Sequence, residues 1–146
     1  MLWTMESILP MHHCNAFTLR RAARAITQLY ERHIAQSGLT SSQFSVMSAV
    51  RNDPGMSMAA LAEIMGMDRT TLVRALKPLQ RDGLVVAAAT LKGSRQLTLT
   101  LSVEGMARYD GALPYWIAAQ REFEARVGTD RARKLRDELL EISSLS

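Results

Sequence analysis

The chain of 146 residues contains one cysteine, Cys14. A single thiol excludes an intrachain disulfide framework and makes a cytoplasmic address the default expectation. Aromatic residues amount to 5%, whereas apolar residues reach 47% and methionine alone numbers nine. That balance points to a core of helices packed through aliphatic side chains. No apolar run approaches the roughly 20 residues that a bilayer span requires, so no membrane partner is expected. The opening stretch MLWTMESILP has no basic region and is interrupted by Glu6, unlike a secretory signal. Histidine is scarce too, with three in all. No Ser/His/Asp or Cys/His grouping, phosphate-cradling glycine loop or paired carboxylates sit on a recognisable framework. The expectation is therefore a non-enzyme without a cofactor. The length fits one domain.

Charge is unevenly spread. The chain carries 18 Lys and Arg against 14 Asp and Glu, a net of +4. Residues 68–95 hold Arg69, Arg74, Lys77, Arg81, Lys92 and Arg95 against only Asp68 and Asp82, so this one segment accounts for the whole excess. Concentrated positive charge is the electrostatic footprint of a nucleic-acid contact. A solvated basic face is the plainer alternative on charge alone.

The apolar spacing orders the elements. Ala16 to Ala35 reads as a helix with Leu19, Ala22, Ala23, Ile26, Leu29, Tyr30 and His33 on one face and Gly38 closing it. Thr40 opens a second helix, with Gln43 at the capping-box position and Phe44, Met47, Ala49 and Val50 inward. Asn52-Asp53-Pro54-Gly55 is a turn cluster. Ser57 caps a third, short helix that Gly66 ends, and Asp68 caps a fourth with Leu72, Leu76 and Leu79 as its apolar stripe. Pro78 predicts a bend near the end of that helix. Residues 84–89 and 96–101 read as two strands joined by a basic hairpin tip, Lys92 to Arg95. A long helix follows from Ser102 to about Val127, with kinks expected at Gly111 and Pro114. Thr129 or Asp130 is expected to cap a last helix whose edge is Ala132, Leu135, Leu139 and Ile142.

Two short helices joined by a tight glycine turn make a helix-turn-helix. The second opens Asp68-Arg69-Thr70-Thr71 and carries Arg74 and Lys77 away from its leucine stripe. Guanidinium groups and hydroxyls at a helix N-terminus are what reading a major groove requires, because arginine bonds guanine bidentately and threonine bonds bases or phosphate. The candidate DNA contacts are thus Ser57, Arg69, Thr70, Thr71, Arg74 and Lys77. Lys92 and Arg95 at the hairpin tip join them as a wing against the backbone or minor groove. Taken singly, each has a plainer role as cap or solvated cation. Their coincidence favours DNA.

These pieces, in order, resemble the multiple-antibiotic-resistance regulator (MarR) family of winged helix-turn-helix regulators. The matching stretches are Leu39-Thr40-Ser41-Ser42-Gln43-Phe44, Leu61-Ala62 before Met67-Asp68-Arg69-Thr70-Thr71-Leu72, Leu79 with Gly83-Leu84-Val85, and Leu101-Ser102-Val103-Glu104-Gly105. Arg24 with Tyr30, and Leu113-Pro114-Tyr115-Trp116 with Ala119-Gln120, match as well. The resemblance implies a mainly α fold of about six helices with a small β-hairpin wing, assembled as an intertwined two-fold homodimer. It implies a tail over residues 1–15, a dimerisation region over 16–37 and 103–146, and a DNA-binding lobe over 38–102. The implied partner is double-stranded DNA carrying a pseudo-palindromic operator, and the implied role a transcriptional regulator, most simply a repressor. The wing departs from the family pattern: Gly93 stands where an Asp is usual, Ser94 where a second Arg is common, and Val86 where a basic residue is frequent. A protein-interaction module that has lost DNA binding is therefore the competing class.

Three signals concern regulation. Many relatives bind small aromatic acids between the dimer helices and the DNA-binding lobe. Phe17, Arg20, Arg21, Tyr115 and Trp116 are the candidate residues here for a small aromatic or anionic effector, with arginine pairing a carboxylate and rings covering a phenyl group. Phe17 and Trp116 as dimer core is the alternative. Cys14 is the candidate for a redox-sensing version of the same regulator, against a small buried core residue. His12, His13 and Cys14 are adjacent, so their side chains diverge, and no metal site is expected.

Overall fold

The structure, a computed structural model, describes residues 13–89 and 96–144. Helix α1 (Asn15–Ile34) runs into a 3-10 turn (Ala35–Ser37) and is followed by α2 (Ser41–Asn52), β1 (Met56–Ser57), α3 (Met58–Met65) and α4 (Arg69–Arg81). Strands β2 (Val85–Ala89) and β3 (Leu97–Leu101) precede α5 (Val103–Val127) and α6 (Thr129–Ser143). Capping sets most of the helix starts. The Gln43 amide N–H donates to Thr40 Oγ1 and the Thr40 N–H to Gln43 Oε1, both at 3.0 Å, which is the reciprocal box that the spacing predicts. Ser57, Asp68 and Ser102 each accept a backbone N–H from three residues on.

One helix start differs from expectation. Neither Thr129 nor Asp130 caps α6; Gly128, at φ 96°, ends α5 and opens α6 at once, with no side-chain cap. A glycine in that conformation lets two helices abut with no residue to spare for an N-cap side chain. Helix α4 continues through Pro78 to Arg81, and the Asp82 N–H donates to the Pro78 carbonyl at 3.0 Å. The proline forgoes only its own N–H in the last turn, where little helix remains to break. Helix α5 likewise runs unbroken through Gly111 and Pro114.

The sheet holds a third strand that the sequence pattern hides. Its order is β1-β3-β2, all antiparallel, with Met56 opposite Leu99 and Val85 opposite Leu101. A strand of two residues has no periodicity to read. Its work is to seat buried Met56 and Leu99 on the core beneath the helix-turn-helix.

One apolar cluster joins the lobe to the long helices. Ile34, Leu39, Phe44, Met47, Val50, Leu61, Leu72, Leu76, Leu79, Leu84, Leu99 and Tyr109 lie in it, all nearly or fully buried. Helices α1 and α5 pack antiparallel. The Tyr30 hydroxyl donates to Gln120 Oε1, His33 Nε2 lies 2.7 Å from Glu122 Oε2, and Gly38 abuts the Arg108 guanidinium. The His33 hydrogen bond, aided by Arg126 and Arg32, holds the Glu122 carboxyl below its ordinary range.

Among the described residues, only the C-terminal half of the α1 apolar face is covered. Leu29 and Ile34 are buried, whereas Leu19 is exposed, as are Ala22 and Ala23. On α6, Ala132 is buried but Leu135, Leu140 and Ile142 are exposed.

Candidate nucleic-acid interface

Helix α4 is two-faced. Leu72, Leu76 and Leu79 are at most 1% exposed, while Arg69, Thr70, Thr71, Arg74 and Lys77 all face solvent. Thr70, Arg74 and Lys77 follow i, i+4, i+7 and form one stripe along the helix opposite the leucines. Among the described residues no carboxylate forms an ion pair with Arg69, Arg74 or Lys77. Their charge is therefore available to a partner.

The start of α4 is stiffened locally. Gly66 takes the left-handed conformation (φ 63°) and lets the Met67 N–H return to the Ala62 carbonyl at 2.9 Å. Two residues later Asp68 Oδ1 accepts from the Thr71 N–H at 2.7 Å. That bond holds the Asp68 carboxyl below its usual range, with the Thr71 hydroxyl and Arg74 helping. Asp68 and Thr71 are thus engaged as a cap, which leaves Arg69, Thr70, Arg74 and Lys77 as the outward groups. Ser57 also serves as a cap, accepting from the Ala60 N–H at 3.1 Å. It still shares a shallow depression of about 230 Å³ with Arg69, Gln96 and Leu97, so the N-terminus of α3, the start of α4 and the root of the wing meet at one place. Lys92 and Arg95 lie outside the described residues. Gln96 carries no signal in the sequence pattern; it follows the basic tip directly.

The far end of α4 is locked to α5. Gly83, at φ 70°, ends the helix, and the Leu84 N–H returns to the Leu79 carbonyl at 2.8 Å. Ser102 Oγ donates to the Gly83 carbonyl at 2.5 Å and the Ser102 N–H donates to the Leu84 carbonyl at 3.1 Å. Gly105 sits so close to Leu84 that a Cβ there would lie 2.1 Å from its carbonyl oxygen. The helix that presents the cations is in this way fixed to the first turn of the long helix.

The candidate effector residues are not gathered within one chain. Opposite Tyr115 and Trp116, the antiparallel pairing sets the C-terminal end of α1. Phe17, Arg20 and Arg21 lie more than three turns away along it, roughly 20 Å at 1.5 Å per residue. Arg20 instead borders a surface groove with Ala23, Arg24, Thr27 and Gln28. Tyr115 is half-buried, and Trp116 turns into a cleft with Phe44 and Tyr109. Cys14 is exposed at the N-cap of α1, its Sγ accepting from the Phe17 N–H at 3.5 Å, and is not a core residue. Being the cap places it at the exposed start of the helix. Among the described residues no three His, Cys, Asp or Glu side chains are grouped to hold a metal ion. No described helix is long and apolar enough to cross a membrane.

Comparison with known proteins agrees with this architecture. Residues 37–96, which are the lobe from the end of α1 to the root of β3, match the sequence model of the MarR family. The chain is 35% identical to the M. tuberculosis transcriptional regulator MosR, solved in complex with DNA, and superposes on it with a TM-score of 0.81 over 90% of this chain and 95% of that one. It is 27% identical to the homoprotocatechuate degradative operon repressor of Escherichia coli across 92% of this chain and 91% of that protein. The transcriptional repressor CouR, solved on a 23-mer DNA duplex, shares the fold at a TM-score of 0.82 with 23% identity, covering 93% of this chain and 96% of that one. The chain belongs to the MarR family of transcriptional regulators, winged-helix proteins that are typically dimeric.

Proposed function

We propose that this protein is a homodimeric, sequence-specific double-stranded-DNA-binding repressor of the MarR type, tuned by a small aromatic or anionic effector. The observation that carries the reading is the exposed stripe of Thr70, Arg74 and Lys77 on a helix whose opposite face is fully buried. In this reading α4 enters the major groove. Arg74 reads a base edge, Thr70 and Arg69 bond bases or phosphate near the helix N-terminus, and Lys77 neutralises phosphate. Ser57 and the free N–H groups at the start of α3 meet the backbone. Lys92 and Arg95 extend the contact as a wing.

Dimerisation follows from the apolar surface left over. Leu19 on α1 and Leu135, Leu140 and Ile142 on α6 lie at the two ends of the chain and are exposed. A second copy covers them and doubles the reading heads, so the operator is a pseudo-palindrome with half-sites about one helical turn apart. The dimerisation region then comprises residues 16–37 and 103–146, with the DNA-binding lobe between.

Repression follows where the operator overlaps a promoter, because the bound dimer excludes polymerase. The test is selection of bound duplexes from a random DNA pool by the purified protein at near-physiological salt. Enrichment of a two-fold-related pair of half-sites is the expected result. Failure of any sequence to enrich, with and without extracts of small aromatic metabolites, would move the protein into the class of protein-interaction modules.

A further inference from the structure

The outward face of α4 carries one apolar side chain. Val73 is 38% exposed, and every other exposed residue of that helix is polar or charged. Thr70, Val73 and Lys77 follow i, i+3, i+7, so the valine lies within the stripe that Thr70, Arg74 and Lys77 form. Arg69 precedes it by one turn on the same flank. Single surface valines are ordinary on most proteins, and Ile64, Val86 and Leu97 are exposed here on other elements. What distinguishes Val73 is its place among the groups that the reading above sends to bases and phosphates. Packing does not account for it, because Val73 belongs neither to the buried cluster nor to the half-buried side chains against it. Helix propensity does not either, since alanine favours an exposed helical position more than valine does.

We propose that Val73 is a specificity residue that reads the C5-methyl group of a thymine in the major groove. This deepens the DNA-binding reading above and rests on it. A T·A pair presents to the major groove hydrogen-bonding groups and one methyl, and the methyl is recognised by apolar contact alone. The guanidinium and ammonium groups of the stripe cannot supply that contact, whereas the two methyls of valine can. Valine also has a nearly fixed χ1 in a helix, so little side-chain freedom is lost when the contact forms. Arg74, the next residue, takes the bidentate guanine contact. Consecutive Cα atoms lie about 3.8 Å apart and successive base pairs about 3.4 Å. The thymine therefore lies within about two base pairs of the position that Arg74 reads. Burial of one methyl changes affinity about fourfold, and two half-sites compound this to about 15-fold.

The test uses the full-length protein and the duplex enriched from the random pool. Each thymine is replaced in turn, in both half-sites together, by deoxyuridine, which removes the methyl and keeps every hydrogen-bonding group. Fluorescence anisotropy is expected to show one such exchange weakening binding about 15-fold. For Val73→Ala the same exchange should matter about twofold or less, because the alanine is too short to cover the methyl. That variant keeps its fold, since alanine suits an exposed helical position. Thr70→Ser, which removes the other methyl of the stripe and keeps the hydroxyl, should leave the deoxyuridine penalty intact. A penalty that survives Val73→Ala would overturn the proposal. A penalty that disappears in Thr70→Ser would do the same by giving the contact to Thr70. If the protein binds the selected duplex and no thymine exchange matters, this inference fails and the DNA reading stands. If no duplex is bound at all, the DNA reading fails and takes the inference with it.

Discussion

Gly105→Ala tests the joint between the winged-helix lobe and the long helix. A Cβ at this position would lie 2.1 Å from the Leu84 carbonyl oxygen and 3.0 Å from its carbon. Carbon–oxygen contacts sit no closer than about 3.3 Å, so one backbone must retreat by roughly 1 Å. Leu84 has little freedom to do so. Its side chain is 2% exposed, its N–H returns to Leu79 and its carbonyl receives the Ser102 N–H. Forced overpacking costs about 1–3 kcal/mol, and weakening one of these hydrogen bonds adds about 1 kcal/mol. Replacing a helical glycine by alanine returns about 1 kcal/mol. The net expectation is destabilisation by about 2 kcal/mol, or a Tm lower by about 4–8 °C for a domain of this size. Thermal melts followed by far-UV circular dichroism read it directly. Gly111→Ala is the internal control: it lies in the same helix, but a Cβ there meets nothing within 4 Å. That variant should hold or gain up to about 1 kcal/mol. If Gly105→Ala melts with Gly111→Ala, at or above the parent temperature, the close approach has no energetic weight and the joint as described is wrong. If the joint also aims α4, Gly105→Ala should weaken duplex binding below the melting range as well.

Further outcomes concern the interface and the assembly. Arg74→Ala should cost about 1–3 kcal/mol on the selected duplex and relax preference at one base position, measured by fluorescence anisotropy; an equal loss on all duplexes would reduce Arg74 to a phosphate contact. Lys77→Ala should weaken all duplexes alike and make log affinity against log salt shallower by about one unit for each phosphate no longer neutralised; an unchanged slope would take Lys77 off the DNA. Removal of residues 129–146 should yield a chain that sediments as a monomer, because it takes away Leu135, Leu140 and Ile142; a well-folded dimer would refute the assignment of α6. For Asp68 the folded carboxyl sits below its ordinary value of 3.8. Its cap therefore stabilises α4 fully above that value and is lost as pH falls through the lower folded one. Asp68→Asn, which retains a capping oxygen, should remove this acid-side dependence in pH-resolved melts; an unaltered dependence would mean that other carboxylates carry it.

The helix starts are legible in the sequence because capping is local chemistry. Thr40 with Gln43, Ser57, Asp68 and Ser102 each satisfy an N–H three residues away, and that spacing is visible in one dimension. Helix α4 is legible for the same reason: three leucines at helical spacing require Thr70, Arg74 and Lys77 to point outward. The charge excess of residues 68–95 then has a surface on which to act.

What cannot be read in this way is whatever depends on residues far apart in the chain. Strand β1 exists only because Leu99 comes back to pair with Met56. The cleft is hidden more deeply. Ser45, Ser48 and Asn52 form a polar helical stripe, and such a stripe on an isolated helix means solvent. It lines a cleft only when Tyr109 and Trp116 arrive from α5, 57 to 71 residues later in numbering. The candidate effector set of Phe17, Arg20, Arg21, Tyr115 and Trp116 fails to converge within one chain for the converse reason. Residue chemistry nominates it, and an antiparallel helix pair separates its two halves along its length. Gly105 shows the two cases meeting. The run from Leu101 to Gly105 is recognisable as a family pattern, yet nothing within those five residues requires a glycine. The requirement comes from the Leu84 carbonyl across the lobe, so the pattern is the one-dimensional trace of a contact that holds the end of α4 to α5.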